Sequence, residues 1–350
     1  MTTNVLIVDD SATARHALRL ALESDPGVRV VGEAADRTEA LDLVERLGPH
    51  LVTMDVVLRR EDGIEVAAAL MARSPVPILI VTARDRDPQL VYETLEAGAL
   101  EVVQKLPAPS SPDYAARRRR LVRLVKTLAG VHVVRRRRPR GGDDRQPPPP
   151  AAPPAATWEV VLLGASTGGP PVLAHLLGHI EAPAPIPIVI VQHMATGFGE
   201  GFAAWLGALT GHPTQVVNGP RVLEPGVVYL APSERHLVFD TRRSVCLNRE
   251  PPRFYQRPSV DVLFESAAAL VGGAAVAALL TGMGRDGAAG LAALHRTGAY
   301  TMAQKPSTCA VASMPETGIT AGAADVVLAP DDIGAALRAG MATLLAARGR

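Results

Sequence analysis

The sequence predicts an α/β protein made of two doubly wound parallel-sheet domains joined by a proline- and arginine-rich linker. Three observations carry this. The length of 350 residues exceeds what one ordinary core holds. Short apolar runs alternate with longer amphipathic ones in two separate blocks. Between the blocks the composition breaks abruptly. Hydrophobic residues make up 47% of the chain but aromatics only 3%, so the cores are built from Ala, Val and Leu, as in sheets covered by helices.

In the first domain, residues 1–130, the runs Val5–Val8, Val28–Ala34, Leu51–Met54, Ile78–Val81 and Glu101–Gln104 read as strands with helices between them. Strands spaced in this way need crossover helices, which gives a five-stranded parallel sheet. Residues 131–157 follow as a linker: Arg135–Arg138 repel one another, Gly141–Gln146 is polar, and Pro147–Pro154 is largely proline. Such a segment is a stiff, extended spacer, and its basic run reads as a solvated linker, with contact to an acidic partner or nucleic acid as the alternative. In the second domain, residues 158–350, the strands are Val160–Leu163, Ile186–Val191, Ala274–Leu280, Tyr300–Ala303 and Asp325–Leu328. Between Thr214 and Asn248 the pattern shortens into hairpin-like pieces, including Val227–Leu230 and His236–Phe239, which read as an insertion at the sheet edge.

A formal charge of +1 argues against a nucleic-acid-coating protein, whose affinity rests on many phosphate-neutralising contacts. The two cysteines, Cys246 and Cys309, form no framework or metal spacing and are expected as free thiols in a reducing, cytoplasmic setting. The apolar run Val5–Val8 is cut at once by Asp9 and Asp10, unlike a secretory leader. The stretch Ala267–Leu280 falls short of the ~20 residues a membrane span needs, so no membrane insertion is expected. A monomer is expected.

Asp9 and Asp10 follow the first strand, Asp55 the third, Thr82 the fourth and Lys105 the fifth. Parallel strands end on one shared face, where open α/β sheets bind ligands. Three carboxylates gathered there repel unless a cation sits among them, and hard oxygen ligands favour Mg²⁺. The chain has only three lysines, so one at this strand end is a specific signal. The set resembles the flavodoxin-like receiver domain of response regulators. That resemblance implies Asp55 as phosphoacceptor, Asp9, Asp10 and Asp55 as metal ligands, Thr82 as switch hydroxyl and Lys105 as phosphate contact. Three positions depart from the family pattern: Leu106 stands between Lys105 and Pro107, Val102 replaces an aromatic switch residue, and Arg59 replaces a proline. They bear on how phosphorylation couples to shape change.

In the second domain, Val160 to Gly169 reads strand, glycine-rich turn, helix, with Gly164-Ala165-Ser166-Thr167-Gly168 fitting G-x-S-x-G. Such a turn exposes the serine hydroxyl beside amides able to hold an oxyanion. A degraded dinucleotide fingerprint is the competing reading, but the next strand ends in Gln192-His193 and not in an acidic ribose ligand. His193 at that strand end and Asp286 after Ala274–Leu280 complete a Ser, His, Asp constellation in which His193 is the base and Asp286 its orienting acid. The chain order differs from that of α/β-hydrolases. The domain is similar to the Rossmann-like catalytic domain of the CheB methylesterases, through Gly164–Gly169, Gln192-His193-Met194, Val228-Tyr229-Leu230-Ala231-Pro232, Pro258-Ser259-Val260-Asp261 and Thr281–Gly287.

That resemblance implies hydrolysis of γ-glutamyl methyl esters on the cytoplasmic domain of methylated chemoreceptors, with glutamine deamidation at the same site. It implies a chemotaxis-type histidine kinase as phosphodonor and no cofactor for ester hydrolysis. It places the Met283 amide in the oxyanion hole and Thr167 and His236 near the site. With both sites on one chain, phosphorylation at Asp55 is expected to uncover the Ser166 cleft. Two other outcomes stay open: a non-catalytic response-regulator adaptor, or a related esterase of a sensory array unconnected with chemotaxis. A DNA-binding output is disfavoured because the second domain lacks a short basic recognition-helix module.

Overall fold

The computed structural model describes residues 2–58, 61–83, 88–131 and 157–348, which fall into two compact units. Arg59 and the expected linker, apart from its end residues Val131 and Thr157, lie outside the described residues.

In the first unit, β1 (Thr3–Val8), α1 (Ala12–Leu22), β2 (Val28–Ala34), α2 (Arg37–Leu47) and β3 (Leu51–Met54) are followed by a small antiparallel pair, β4 (Val57–Leu58) and β5 (Glu61–Asp62). Then come α3 (Gly63–Arg73), β6 (Ile78–Thr82), α4 (Pro88–Glu96), β7 (Glu101–Gln104) and α5 (Tyr114–Leu128). The sheet order is β2-β1-β3-β6-β7 with every pair parallel. α1 and α2 start where short polar side chains cap them: Ser11 accepts from the Ala14 amide and Asp36 from the Glu39 amide. The chain reverses its winding between β1 and β3, and Val8 pairs with Met54 in register, so the residues just past both strands sit side by side.

The second unit runs β8 (Val160–Ala165), α6 (Gly169–Gly178), β9 (Ile188–Gln192), α7 (Gly199–Thr210), β10 (Thr214–Val216), β11 (Arg221–Val222), β12 (Val228–Leu230), β13 (His236–Thr241) and β14 (Ser244–Asn248). It continues with α8 (Val260–Leu270), β15 (Ala275–Leu279), α9 (Ala288–Arg296), β16 (Tyr300–Gln304), α10 (Ser313–Thr320), β17 (Val326–Leu328) and α11 (Pro330–Arg348). Among the described residues, seven parallel strands form the main sheet in the order β10-β12-β9-β8-β15-β16-β17. The central strands β8, β9 and β15 are buried at every position, as expected of strands covered on both faces.

The segment read as an edge insertion is divided. β10 and β12 extend the main sheet, and β12 pairs directly with β9 through Val228, Tyr229 and Leu230. Only β11, β13 and β14 form the separate antiparallel sheet, in the order β11-β14-β13. Three-residue strands give too short a period to separate a sheet strand from a hairpin arm. Burial decides it, since Val228, Tyr229 and Leu230 are all but inaccessible. The Tyr229 hydroxyl also accepts from the Glu224 amide at 3.0 Å, which fixes the turn before the strand.

If β12 is integral to the core, Tyr229→Ala costs about 3–5 kcal/mol and Tyr229→Phe only about 1 kcal/mol. The second transition in urea unfolding of the full chain measures both. A loss under about 1 kcal/mol for the alanine variant would mean a peripheral hairpin.

Candidate active site

β8 is flanked by β9 and β15, and the winding of the sheet reverses between β8 and β15, the kind of switch point past whose strand ends open α/β sheets bind ligands. Ser166 follows β8 directly and His193 follows β9 directly. The His193 amide donates to the Ala165 carbonyl at 3.0 Å, continuing the register that pairs Ala165 with Gln192. The two residues therefore share one edge of the sheet. Asp286 lies seven residues past the end of β15, in the loop before α9, so its distance from Ser166 is set by that loop and not by strand register.

The loop reaches the site because Gly282 carries no side chain. A Cβ there would fall 2.7 Å from Ser166 Cβ and 2.2 Å from Met314 Sδ. The Ser166 amide donates to the Thr281 carbonyl at 3.0 Å, and the buried Thr281 hydroxyl donates to the Thr167 carbonyl at 3.0 Å. Gln192, fully buried, donates from Nε2 to the carbonyls of Ser166 (2.9 Å) and His193 (2.8 Å). One side chain thus ties the two strand ends together. Met283, half-buried, follows Gly282 in the same loop.

Asp286 and His193 are in direct contact: Nε2 of His193 lies 2.9 Å from Asp286 Oδ2, with both residues buried. An ionised carboxylate only accepts, so Nε2 carries a proton, and in the neutral ring Nδ1 then holds the lone pair. Nδ1 is itself buried and has no hydrogen-bond partner among the described residues. An unpaired buried base beside a serine turn is free to accept a proton, and in a substrate-free site the serine–base contact is commonly long.

Three further groups hold Asp286. The Ser259 hydroxyl donates to Oδ1 at 2.7 Å, the Val260 amide to Oδ2 at 2.8 Å and the Asp261 amide to Oδ1 at 3.1 Å. Ser259 is the N-cap of α8, so the carboxylate occupies the positive end of that helix. Burial pushes the Asp286 pKa up, but the His193 hydrogen bond and charge, the Ser259 hydroxyl and the Asp261 amide outweigh it and hold the carboxyl below the usual range. Behind Ser259 stands His236, also fully buried. Its Nδ1 accepts from the Ser259 amide at 3.1 Å and its Nε2 faces the Pro251 carbonyl at 3.2 Å, which requires the neutral tautomer protonated at Nε2.

The sequence pointed to Ser166, His193, Asp286, Thr167 and His236, and the structure gathers them around one strand edge. It adds Ser259, Gln192 and Asp261, which sequence reasoning had not selected as site residues. Asp261, in the first turn of α8, is wholly buried, with Oδ1 accepting from the Gly290 amide at 2.7 Å. Burial raises its pKa to about 6, assisted by the neighbouring Asp286 charge and opposed by the Gly290 amide and Arg253. Elsewhere in the unit, Asp240 and Asp325 join local clamps, Asp240 with Ser244 and Asp325 with Thr301.

In the first unit, Asp9 and Asp55 are both buried and share one ammonium, Lys105 Nζ, at 2.6 Å from each. Burial works against the Lys105 charge, but its hydrogen bonds to Asp55 and Asp9 outweigh this and raise its pKa. Asp55 Oδ1 also accepts from the Thr82 hydroxyl at 2.8 Å. Asp10 is half-buried beside Asp9. Two buried carboxylates against one cation leave a negative charge and hard oxygen donors, a set suited to a hard divalent ion and to phosphoryl oxygens.

Because the folded Asp261 pKa lies above that of an unfolded aspartate, this group favours the fold below about pH 4 and loses that contribution as pH rises through 6. Asp261→Asn is therefore expected to gain stability relative to the native chain by about 1–3 kcal/mol between pH 4.5 and 7.5. Denaturant unfolding at the two pH values measures it, and a pH-independent difference would refute the assignment.

Residues 161–337 match the family model described as CheB methylesterase, and residues 5–111 match the response regulator receiver domain. A protein-glutamate methylesterase/protein-glutamine glutaminase of Anaeromyxobacter dehalogenans is 45% identical, with 94% of this chain and 96% of that protein covered. One from Myxococcus xanthus is 41% identical, with 95% of each covered. The crystal structure of the Thermotoga maritima CheB methylesterase catalytic domain matches at TM-score 0.50 and 32% identity, covering 52% of this chain and 98% of that one. With a receiver-type unit at residues 5–111 and a methylesterase-type unit at residues 161–337, the chain belongs to the CheB methylesterase family.

Proposed function

We propose that the chain is a phosphorylation-regulated protein-glutamate methylesterase, acting through Ser166, His193 and Asp286 on methylated glutamates of a chemoreceptor's cytoplasmic domain. The observation that supports this most is the buried His193–Asp286 pair, which leaves Nδ1 as an unpaired base at the edge that carries Ser166. An adaptor that does no chemistry has no use for such a pair, because an unsatisfied buried polar atom costs stability.

In this mechanism Ser166 Oγ attacks the ester carbonyl carbon while His193 Nδ1 takes its proton. The imidazolium is stabilised by Asp286, whose own charge is held by the α8 terminus and does not wander. The carbonyl oxygen becomes an oxyanion, for which the Met283 amide and the turn at Thr167 are the proposed donors. Collapse expels methoxide, which takes the proton back from His193 and leaves as methanol. Water then attacks the glutamyl-serine ester with His193 again as base, which releases the glutamate carboxylate and restores Ser166. A glutamine side chain would follow the same course, with ammonia as leaving group.

The receiver-type unit supplies regulation. Asp55 Oδ accepts a phosphoryl group from a phosphodonor, in the cell a chemotaxis-type histidine kinase, forming an acyl phosphate. Thr82 and Lys105, already directed at Asp55, are placed to hold the transferred group. Asp9, Asp10 and Asp55 would hold Mg²⁺, which neutralises the phosphoryl oxygens when bound. No helix among the described residues is long and apolar enough to cross a membrane. We place the enzyme in the cytoplasm as a monomer.

Methanol release from methylated receptor is expected to fall about 10⁴-fold or more in Ser166→Ala, with KM little changed. Asp286→Asn is expected to lose about 10⁴-fold in kcat, since it sets the wrong tautomer. Turnover within tenfold of the native enzyme in Ser166→Ala would rule out the triad.

A small phosphodonor is expected to accelerate turnover in the native enzyme and not in Asp55→Asn. Chelation of divalent ions is expected to remove that acceleration while leaving unstimulated hydrolysis intact. Acceleration that persists in Asp55→Asn would rule out Asp55 as the acceptor.

A further inference from the structure

The helix that begins at the Ser166 turn ends in two histidines. His175 lies on α6 and His179 is its C-cap, four residues on and so on the same face. α11 packs against α6 and carries Asp331 in its first turn. His175 Nε2 is 2.7 Å from Asp331 Oδ1, His179 Nε2 is 3.4 Å from the same oxygen, and the two Nε2 atoms are 3.4 Å apart. The rings meet edge to face with centroids 4.9 Å apart. Three donor atoms from two helices therefore converge on one point. Gly334, one turn further along α11, makes the room: a Cβ there would lie 2.7 Å from Cγ and 2.8 Å from Cβ of His179.

Ordinary hydrogen bonding accounts for only part of this. A proton on His175 Nε2 satisfies the contact with Asp331, and His179 Nε2 is then left 3.4 Å from both, long for a hydrogen bond to either. A tetrahedral ion bound at about 2.0–2.2 Å separates its donors by roughly 3.3 Å. Two of the three separations, both 3.4 Å, already match that edge. The third, 2.7 Å, is the length of a proton bridge and would widen as an ion replaced the proton.

We propose that His175, His179 and Asp331 form a site for a divalent transition metal of the zinc class, completed by water, that staples α6 to α11. Two imidazoles and one carboxylate select zinc-like ions over magnesium or calcium, which favour all-oxygen shells. The binding step is balanced: the ion enters, His175 gives up its Nε2 proton and takes one at Nδ1 through solvent so that the imidazole stays neutral, and no electron moves. His175 and Asp331 are exposed, so the ion has an open path. At about 1.5 Å per residue, His175 stands roughly 9 Å along α6 from its first residue. The staple fixes the far end of the helix whose near end follows the Ser166 turn, and takes no part in the ester chemistry.

The test is titration of the untagged full chain with Co²⁺ in excess Mg²⁺, which occupies the carboxylate cluster of the receiver-type unit. The visible absorption of the bound ion is followed, and Zn²⁺ is then used to displace it. The native chain is expected to take up one equivalent and to show a higher Tm for its second unit with Zn²⁺. The variant His175→Ala/His179→Ala is expected to lose both effects. Gly334→Ala, which keeps every donor but displaces the His179 ring, is expected to weaken binding about 10–100-fold and serves if the double variant does not fold. Absence of a bound equivalent in the native chain, its survival in the double variant, undiminished affinity in Gly334→Ala, or a thiolate charge-transfer band from cysteine ligation would each overturn the proposal.

Discussion

The catalytic unit is organised around one buried negative charge. A carboxylate removed from water is expensive unless nearly every lone pair is engaged, and Asp286 meets that demand with two backbone amides, a hydroxyl and an imidazole. Each donor then fixes something else. The amides place the start of α8 against the loop after β15. The hydroxyl requires Ser259 to sit at the helix N-cap, which His236 secures from behind. The imidazole is left with a single tautomer. The geometry needed for the proposed proton transfer is thus a by-product of satisfying one ion.

The first unit solves a related problem in the opposite way. There two carboxylates, Asp9 and Asp55, are buried against a single ammonium, so the charge is under-compensated instead of saturated. Asp286 is locked in place by its neighbours, whereas Asp55 retains electrostatic room for a further cation and for a transferred anion. The contrast follows from the tasks proposed for the two carboxylates: one orients, the other reacts.

Much of this was legible in the sequence because parallel sheets convert strand ends into a shared face. Asp9, Asp55, Thr82, Lys105, Ser166 and His193 all lie at or just past the ends of apolar runs, so a one-dimensional pattern locates them. Asp286 was visible through its glycine-flanked loop. Other features depend on contacts between distant segments. Ser259 reaches Asp286 across 27 residues and His236 reaches Ser259 across 23, with no periodicity to announce either. β12 was misplaced because three residues cannot reveal which sheet they join. His175 and His179 carried the right helical spacing, but their third partner, Asp331, lies 156 residues beyond His175.

The position of β8 has a consequence for how the enzyme can be controlled. As the middle strand of seven, inaccessible along its whole length, it belongs to the part of the unit that opens only when the entire fold comes apart. The serine at its end inherits that rigidity, because the backbone that carries it cannot shift without breaking ladders on both sides. A signal worth a few kcal/mol is too small to rearrange such a strand, yet ample to bias whether a polypeptide substrate gains admission to it. In the mechanism proposed, control is therefore expected to act on entry, with the reacting groups staying assembled throughout.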